Sequence, residues 1–365
     1  KFGMVYNGLG LLFLKKNEFQ SAIENFQKCL DYNPKDFSAV LNLGNCFKEL
    51  KMFDKAIDCY KKVIHLNKDN SHAYNNIANI YGVKKEFALA IDFYSKAIEV
   101  NFHYFEAYNN RGVVYTKTDR IDEAIKDFKK SISISPNYPN PYRNLGNIYF
   151  LKENFLEAKK FYLISINLLD GQYEILNNLG VCYTKLKEYT KSLDIYDQAI
   201  NAKLDYAPAY NNKGNSLNSL ERFEEAFQYL EQAQKLDPDN HQTPLNIGNL
   251  MLLQSRYAEA TKYYEQAVKV KPDCPDAYFN LSLLAENYYL SEDYSSAINT
   301  LKSFDKKNDF YYWFKIKKEA QIILRKKDAD ISLKFINSKF KKIKNPSIKI
   351  IFDIANFNKN AKQYK

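Results

Sequence analysis

Cysteine, histidine, glycine and long apolar runs are all scarce in this chain of 365 residues, and each scarcity excludes a class of protein. The five cysteines form no CxxC pair and the four histidines are dispersed, so neither a zinc site nor a disulfide framework is expected. The eleven glycines form neither GxxxxGKS/T nor GxGxxG, which excludes these two phosphate-binding loops. The chain has no run of about 18 apolar residues, which is the length needed to span a membrane, and its first residues lack a signal-peptide cleavage pattern.

The same absences argue against catalysis. No histidine has a cysteine or aspartate partner at the spacing of a catalytic nucleophile or a metal site. Carboxylate pairs such as Glu224 and Glu225 are interpreted as solvated charge on a helix surface. We therefore expect an intracellular, cytoplasmic protein that is not an enzyme and that needs neither a cofactor nor a metal.

The net charge of +10 belongs to the C-terminal segment alone. Residues 302–365 carry 18 Lys or Arg against 6 Asp or Glu, whereas the rest of the chain carries 35 against 37. The basic segment could meet an acidic protein, phosphates or an acidic membrane surface, but a solvated face is the favoured interpretation. An acidic partner at this segment is therefore one expectation, and nucleic acid is not an expected partner.

A small residue recurs every 34 residues, which is the main feature of the sequence. The first small column is Gly10, Gly44, Ala78, Gly112, Gly146, Gly180, Gly214 and Gly248. A second small residue follows twelve positions later, at Ala22, Ala56, Ala90, Ala124, Ala158, Ser192, Ala226 and Ala260. A bulky residue follows sixteen positions after the first, at Phe26, Tyr60, Tyr94, Phe128, Tyr162, Tyr196, Leu230 and Tyr264. Apolar residues at helical spacing, interrupted in mid-repeat, predict two antiparallel helices, A and B, in each copy.

The columns imply a packing scheme. The two small columns are expected where helices A and B of a copy cross closely, and the aromatic residues are expected to fill the space between neighbouring copies. One helical pair cannot bury its apolar face alone, so the copies are expected to stack into a continuous core.

This pattern resembles the tetratricopeptide repeat. The stretch YRNLGNIY, from Tyr142 to Tyr149, is followed by Ala158 and Tyr162, although Asp170 stands where the repeat closes with proline. The resemblance implies an all-α fold, a right-handed superhelical solenoid of helix-turn-helix repeats, which acts as a protein-protein interaction scaffold. We assign eight repeats to residues 3–274, a divergent ninth with a three-residue insertion to 275–311, and a basic helical cap to 312–365.

Asparagines form two further columns. The first asparagine column, two residues before the small residue, is Asn42, Asn76, Asn110, Asn144, Asn178, Asn212, Asn246 and Asn280. The second asparagine column, one residue after it, is Asn45, Asn79, Asn147, Asn215 and Asn249. Asparagine also occurs three residues before the small residue, less regularly, and is interpreted there as a tolerated polar choice. That third set is Asn7, Asn75, Asn109, Asn177 and Asn211.

Two interpretations of the first two columns remain open. The amides could bond between adjacent repeats and stabilise the stack, or they could bind the backbone of an extended polypeptide. The resemblance favours the second, because an asparagine ladder at this column is similar to one in O-linked N-acetylglucosamine transferases, where it binds substrate peptides. We therefore predict both columns to be peptide-binding, in a concave groove that holds a protein partner within a multiprotein complex.

Other functions remain as alternatives. The chain could be the substrate-recruiting arm of a larger glycosyltransferase whose catalytic domain is absent from it. A carboxylate clamp for chaperone C-termini would use Arg143, Asn147 and Asn178, but the third helix offers Pro208 where a basic residue is needed. In the column one residue before the small residue, Arg111 and Lys213 stand where the other copies have Leu or Ile. We expect their long side chains to snorkel, extending past the edge of the core so that the charged groups reach solvent.

Overall fold

The computed structural model describes residues 2–290, Ser296 and Thr300, and within 2–290 it consists of seventeen α-helices. The helices are α1 (Phe2–Lys15), α2 (Phe19–Tyr32), α3 (Phe37–Glu49), α4 (Phe53–Leu66), α5 (Ser71–Val83), α6 (Phe87–Val100), α7 (Phe105–Lys117), α8 (Ile121–Ile134), α9 (Pro139–Leu151), α10 (Phe155–Leu168), α11 (Tyr173–Lys185), α12 (Tyr189–Ala202), α13 (Ala207–Ser219), α14 (Phe223–Leu236), α15 (Gln242–Leu253), α16 (Tyr257–Val270) and α17 (Pro275–Leu290). Odd-numbered helices are the A helices and even-numbered ones the B helices. The predicted all-α class of helix-turn-helix repeats is confirmed.

The chain divides into two compact units between Ile175 and Leu176. In the first unit, consecutive helices pack against each other from the pair α1 and α2 to the pair α9 and α10. In the second unit, consecutive helices pack in the same way from the pair α12 and α13 to the pair α16 and α17. Helix α17 has 16 residues, whereas most A helices have 13. The second small residue of the ninth repeat, which the predicted three-residue insertion shifts to Ala297, and the basic cap at 312–365 lie outside the described residues.

The glycine column makes room for the bulky residue of helix B in the same repeat. A Cβ atom built on Gly146 would lie 2.5 Å from Cδ1 and Cε1 of Tyr162, and one built on Gly10 would lie 2.5 Å from Cε1 of Phe26. Both rings are fully buried. Each ring lies on the glycine of its own copy, and such rings also reach the next copy as expected, since Tyr60 belongs to one buried cluster with Ala73 and Ile77 of α5.

The turn between helices A and B has the same backbone in all eight repeats. One residue in each turn has a positive φ, between 55° and 62°, and none of them is glycine. In the fifth repeat, Asn154 N–H donates to the Tyr149 carbonyl and Glu153 N–H to the Phe150 carbonyl, each at 2.9 Å. This pair of bonds is the Schellman motif, which satisfies the last carbonyls of a helix. The positive-φ residues are Asn17, Lys51, Lys85, Asp119, Glu153, Lys187, Glu221 and Ser255.

Glycine at these turn positions should stabilise the protein. The left-handed conformation costs a residue with a Cβ about 1–2 kcal/mol, and part of that gain is offset by the greater freedom of glycine in the unfolded chain. We expect Glu153→Gly and Glu221→Gly each to stabilise by about 0.5–1 kcal/mol in urea unfolding. The matched control, Gln228→Gly, lies exposed within α14 and should destabilise by about 0.5–1 kcal/mol. Equal losses in all three variants would contradict this account of the turn.

Candidate functional site

All members of both asparagine columns lie in A helices and are half-buried. The first column occupies the first half of each A helix from α3 to α17, at the equivalent position in each repeat. Adjacent repeats within a unit bring these side chains close enough to bond to one another. The geometry of those bonds determines which atoms remain available to a ligand.

Three first-column residues donate a hydrogen bond to the second column of the preceding repeat. Each uses its amide Nδ2, and the acceptor is the Oδ1 atom of an asparagine 31 residues earlier. The bonds run from Asn76 to Asn45 at 3.1 Å, from Asn110 to Asn79 at 3.5 Å, and from Asn280 to Asn249 at 2.8 Å.

Three other first-column residues donate to the third set of asparagines instead. The acceptor is again an Oδ1 atom of the preceding repeat, now 35 residues earlier. The bonds run from Asn144 to Asn109 at 3.0 Å, from Asn212 to Asn177 at 2.9 Å, and from Asn246 to Asn211 at 3.0 Å. Asn109 is only 4% exposed. The interpretation of this set as a tolerated polar choice is therefore wrong for these three acceptors, which link adjacent repeats.

The second column has a structural partner that the sequence analysis missed. The hydroxyl of the buried tyrosine in helix B donates to the second-column Oδ1 of its own repeat at 2.6–2.8 Å. In three repeats that same oxygen also accepts the first-column amide of the next repeat, so both of its lone pairs are used. The hydroxyl bonds run from Tyr60 to Asn45, Tyr94 to Asn79, Tyr162 to Asn147 and Tyr264 to Asn249.

The first column retains bonding capacity. An asparagine amide has two N–H hydrogens and an oxygen with two lone pairs, so one donated bond leaves one hydrogen and the oxygen. At Asn110 and Asn178 the oxygen also accepts from the preceding residue, at 3.2 Å from Asn109 Nδ2 and 3.5 Å from Asn177 Nδ2. Each half-buried first-column residue can therefore still offer both a donor and an acceptor, which is what a peptide backbone requires.

The tyrosines that support the second column titrate above their usual range. Burial raises the pKa of the hydroxyls of Tyr60, Tyr94 and Tyr264, because it disfavours the phenolate. Burial likewise raises the pKa of the Cys46 thiol to about 11. Each group therefore binds its proton more tightly in the folded state than in the unfolded state.

Stability should consequently fall at alkaline pH. A group whose pKa is raised on folding stabilises the folded state fully at pH values below its pKa in the unfolded chain, which is near 10 for tyrosine. That stabilisation is lost as the pH rises from the unfolded-state pKa towards the folded-state pKa. We expect the Tm to be nearly constant between pH 7 and about 9 and to drop steeply above about 10. Tyr94→Phe should flatten the drop, since phenylalanine occupies the same column at Phe26 and Phe128. A Tm that stays constant to pH 11 would contradict this role of the buried hydroxyls.

Arg111 and Lys213 are bonded inside the stack. Arg111 donates to both carboxylate oxygens of Asp127, from Nε at 2.7 Å and from Nη2 at 2.9 Å, and its Nη1 donates to Ser95 Oγ at 2.9 Å. Lys213 Nζ donates to Asp197 and to Tyr229, the latter at 2.9 Å. The pKa of Arg111 is raised, because these bonds to Asp127 outweigh the effect of burial, which opposes the charged form. Snorkelling therefore does not describe either residue.

Among the residues that the structure describes, no three His, Cys, Asp or Glu side chains come together to hold a metal. Within the same part of the chain, no helix is both long enough and apolar enough to cross a membrane.

Sequence models of the tetratricopeptide repeat match most of the chain. The matched segments are residues 4–36, 39–70, 71–104, 105–138, 173–206, 207–240 and 245–302. No curated protein sequence matches the chain.

Two solved structures with TM-scores above 0.5 share the fold at low sequence identity. The C-terminal part of a tetratricopeptide-repeat-containing protein from Cytophaga hutchinsonii is 15% identical with a TM-score of 0.53, covering 66% of this chain and 99% of that one. The APC/C hetero-tetramer Cut9-Hcn1 is 16% identical with a TM-score of 0.51, covering 73% of this chain and only 52% of that one. MamA is 29% identical with a TM-score of 0.40, covering 44% of this chain and 94% of that one.

Proposed function

We propose, since the chain belongs to the tetratricopeptide repeat family, that it is a protein-binding scaffold whose first asparagine column holds an extended polypeptide segment. In this role it would help to assemble a multiprotein complex. The repeat family supports protein partners in general. The extended segment, its binding in a concave groove and the part played by each asparagine are the proposal.

The observation that carries the proposal is the remaining bonding capacity of the first column. Asn144 and Asn212 each use one amide hydrogen on the preceding repeat, and this bond fixes the direction of the rest of the amide. An amide held in this way loses little further conformational freedom when a ligand binds. Backbone groups are the same at every residue, so a column of such amides would bind a chain with little regard to its sequence.

The second column would act mainly through the first. Its Oδ1 atoms at Asn45, Asn79 and Asn249 are occupied by a tyrosine hydroxyl and by the next first-column amide. Only the NH₂ groups of these residues would be left to donate to a ligand. We therefore propose that second-column residues orient the first column and add donors beside it.

Two sets of variants separate binding from stacking. Asn144, Asn212 and Asn246 changed together to alanine remove three inter-repeat bonds together with three first-column amides. The matched control set, Asn109→Ala, Asn177→Ala and Asn211→Ala, removes the same three bonds from the acceptor side and leaves the first column in place. It also removes the bonds that Asn109 and Asn177 donate to Asn110 and Asn178.

Pull-down from cells of the source organism would compare the wild-type protein with the two triple variants. We expect the first set to lose at least about tenfold in captured partner, since each lost hydrogen bond contributes about 1 kcal/mol. At a Tm comparable to that of the first set, the control set should retain more partner, because its first-column amides are still present although the removed bonds no longer orient them. Equal loss of partner in both sets would show that the amides act only through the stack, and no loss in either would remove the first column from the binding site.

A further inference from the structure

A cleft of about 560 Å³ opens between α7 and α8, in the fourth repeat. Its lining residues are Tyr108, Arg111, Tyr115, Glu123, Lys126, Asp127, Lys129, Lys130 and Ser133. A volume of this size is in the range that binds small organic groups or single side chains of a partner. On α7, Asn110 lies about 100° around the helix axis from Arg111, so the cleft is separate from the first asparagine column.

The fourth repeat lacks an aromatic side chain at a position that is aromatic in four of the eight repeats, at Phe93, Phe161, Tyr229 and Tyr263. Fifteen residues after the first small residue, the third and fifth repeats have Phe93 and Phe161. Phe93 packs against Tyr74 and Tyr81 with ring centroids 6.5 and 5.5 Å apart, and Phe161 stacks on Tyr149 at 5.5 Å.

In the fourth repeat Asp127 takes this position, so Tyr108 and Tyr115 have no such ring between them. The guanidinium of Arg111 lies there instead, 5.7 Å from the centroid of each tyrosine ring. Asp127 holds it in place by two hydrogen bonds. The cleft thus presents the half-buried ring of Tyr108 and the guanidinium plane of Arg111, both of which favour stacking with another aromatic ring. Tyr115 forms the floor, since it is only 8% exposed and the Arg120 guanidinium also lies 4.4 Å from its ring centroid.

The rim of the cleft is positively charged. Lys126, Lys129 and Lys130 are exposed along one side of α8, and Glu123 is the only acidic residue among the exposed lining residues. Asp127 is 5% exposed and is neutralised by Arg111. The rim therefore complements negative charge on the side of the cleft that α8 forms.

We propose that this cleft binds an aromatic side chain flanked by acidic residues, supplied by a protein partner. The ring stacks on the guanidinium of Arg111 beside the ring of Tyr108, and the flanking carboxylates pair with the three lysines. The site is independent of the asparagine columns, so its test does not depend on them.

The probe is a fluorescein-labelled peptide, Gly-Glu-Glu-Phe-Glu-Glu-Gly, measured by fluorescence anisotropy with the full chain. Replacing its phenylalanine by alanine should weaken binding at least about tenfold, and replacing its glutamates by lysines should abolish binding. A probe that binds equally well with alanine would overturn the stacking part, since only charge attraction to the lysines would then remain.

The protein variant Arg111→Leu/Asp127→Phe converts the fourth repeat to the pattern of the fifth, which has Leu145 and Phe161 at these positions. It fills the cleft with a residue pair that already packs in this chain, so folding should be retained, as the Tm checks. We expect it to lose binding of the peptide at least about tenfold, whereas the triple variant of Asn144, Asn212 and Asn246 should bind it normally. Unchanged binding to the filled cleft in a folded protein would overturn the proposal.

Discussion

Asp127→Ala is expected to destabilise the protein by about 3 kcal/mol, because it leaves the buried charge of Arg111 without its partner. Removing one member of a buried ion pair leaves the other without a partner, and such losses are about 3–5 kcal/mol when the remaining charge is buried. The side chains of Arg111 and Asp127 are 16% and 7% exposed, and two hydrogen bonds join them. Urea unfolding monitored by circular dichroism would measure the loss.

The double variant Arg111→Leu/Asp127→Phe provides the control for this loss. Replacing a buried ion pair by apolar residues of suitable shape is often neutral or stabilising. We expect its free energy of unfolding to equal or exceed that of the wild type, in contrast to Asp127→Ala. If the double variant were as unstable as the single one, the pair would be needed for reasons other than its own charge balance.

Gly146→Ala is expected to destabilise by about 1–2 kcal/mol, although alanine is the better helix former. The new Cβ would lie 2.5 Å from two ring atoms of Tyr162, and overpacking of this kind costs about 1–3 kcal/mol. The intrinsic gain of about 1 kcal/mol for alanine in a helix offsets only part of that cost.

Gly82→Ala is the matched substitution for Gly146→Ala. Gly82 also lies in an A helix, but a Cβ there would meet nothing within 4 Å. We expect it to stabilise by up to about 1 kcal/mol, because only the helix propensity changes. Opposite signs for the two variants in thermal unfolding would support the role assigned to the glycine column. The same sign for both would refute it.

Much of the fold follows from the sequence because the repeat constrains every copy alike. The 34-residue period and the two small columns predict the helix pairs, and Ala22 and Ala56 are fully buried as expected for close helix crossings. The turns were harder to foresee, because the positive-φ residues are chemically diverse. Lys51 and Glu153 carry no signal for a left-handed backbone, which glycine or asparagine would have supplied.

Part of the asparagine network could have been predicted. Asparagine in the second column accompanies tyrosine fifteen residues later in four repeats, as at Asn45 and Asn79, whereas Val113 accompanies Phe128. Two repeats depart from this association, because Asn215 accompanies Leu230, and Val181 accompanies Tyr196, whose hydroxyl bonds to Thr184. A hydroxyl that needs a buried acceptor explains this association. The acceptor chosen by each first-column residue could not have been predicted, because it depends on the separation of adjacent repeats to within about an ångström.

The central claim is that the first asparagine column binds polypeptide backbone rather than particular side chains. The most direct measurement is calorimetric titration of the full chain with a partner segment recovered by pull-down, compared with a scrambled version and a version N-methylated at alternate residues. The account predicts that scrambling changes the Kd by less than about threefold, whereas N-methylation, which removes backbone donors, weakens binding at least about tenfold. Tolerance of N-methylation combined with loss of binding on scrambling would contradict it.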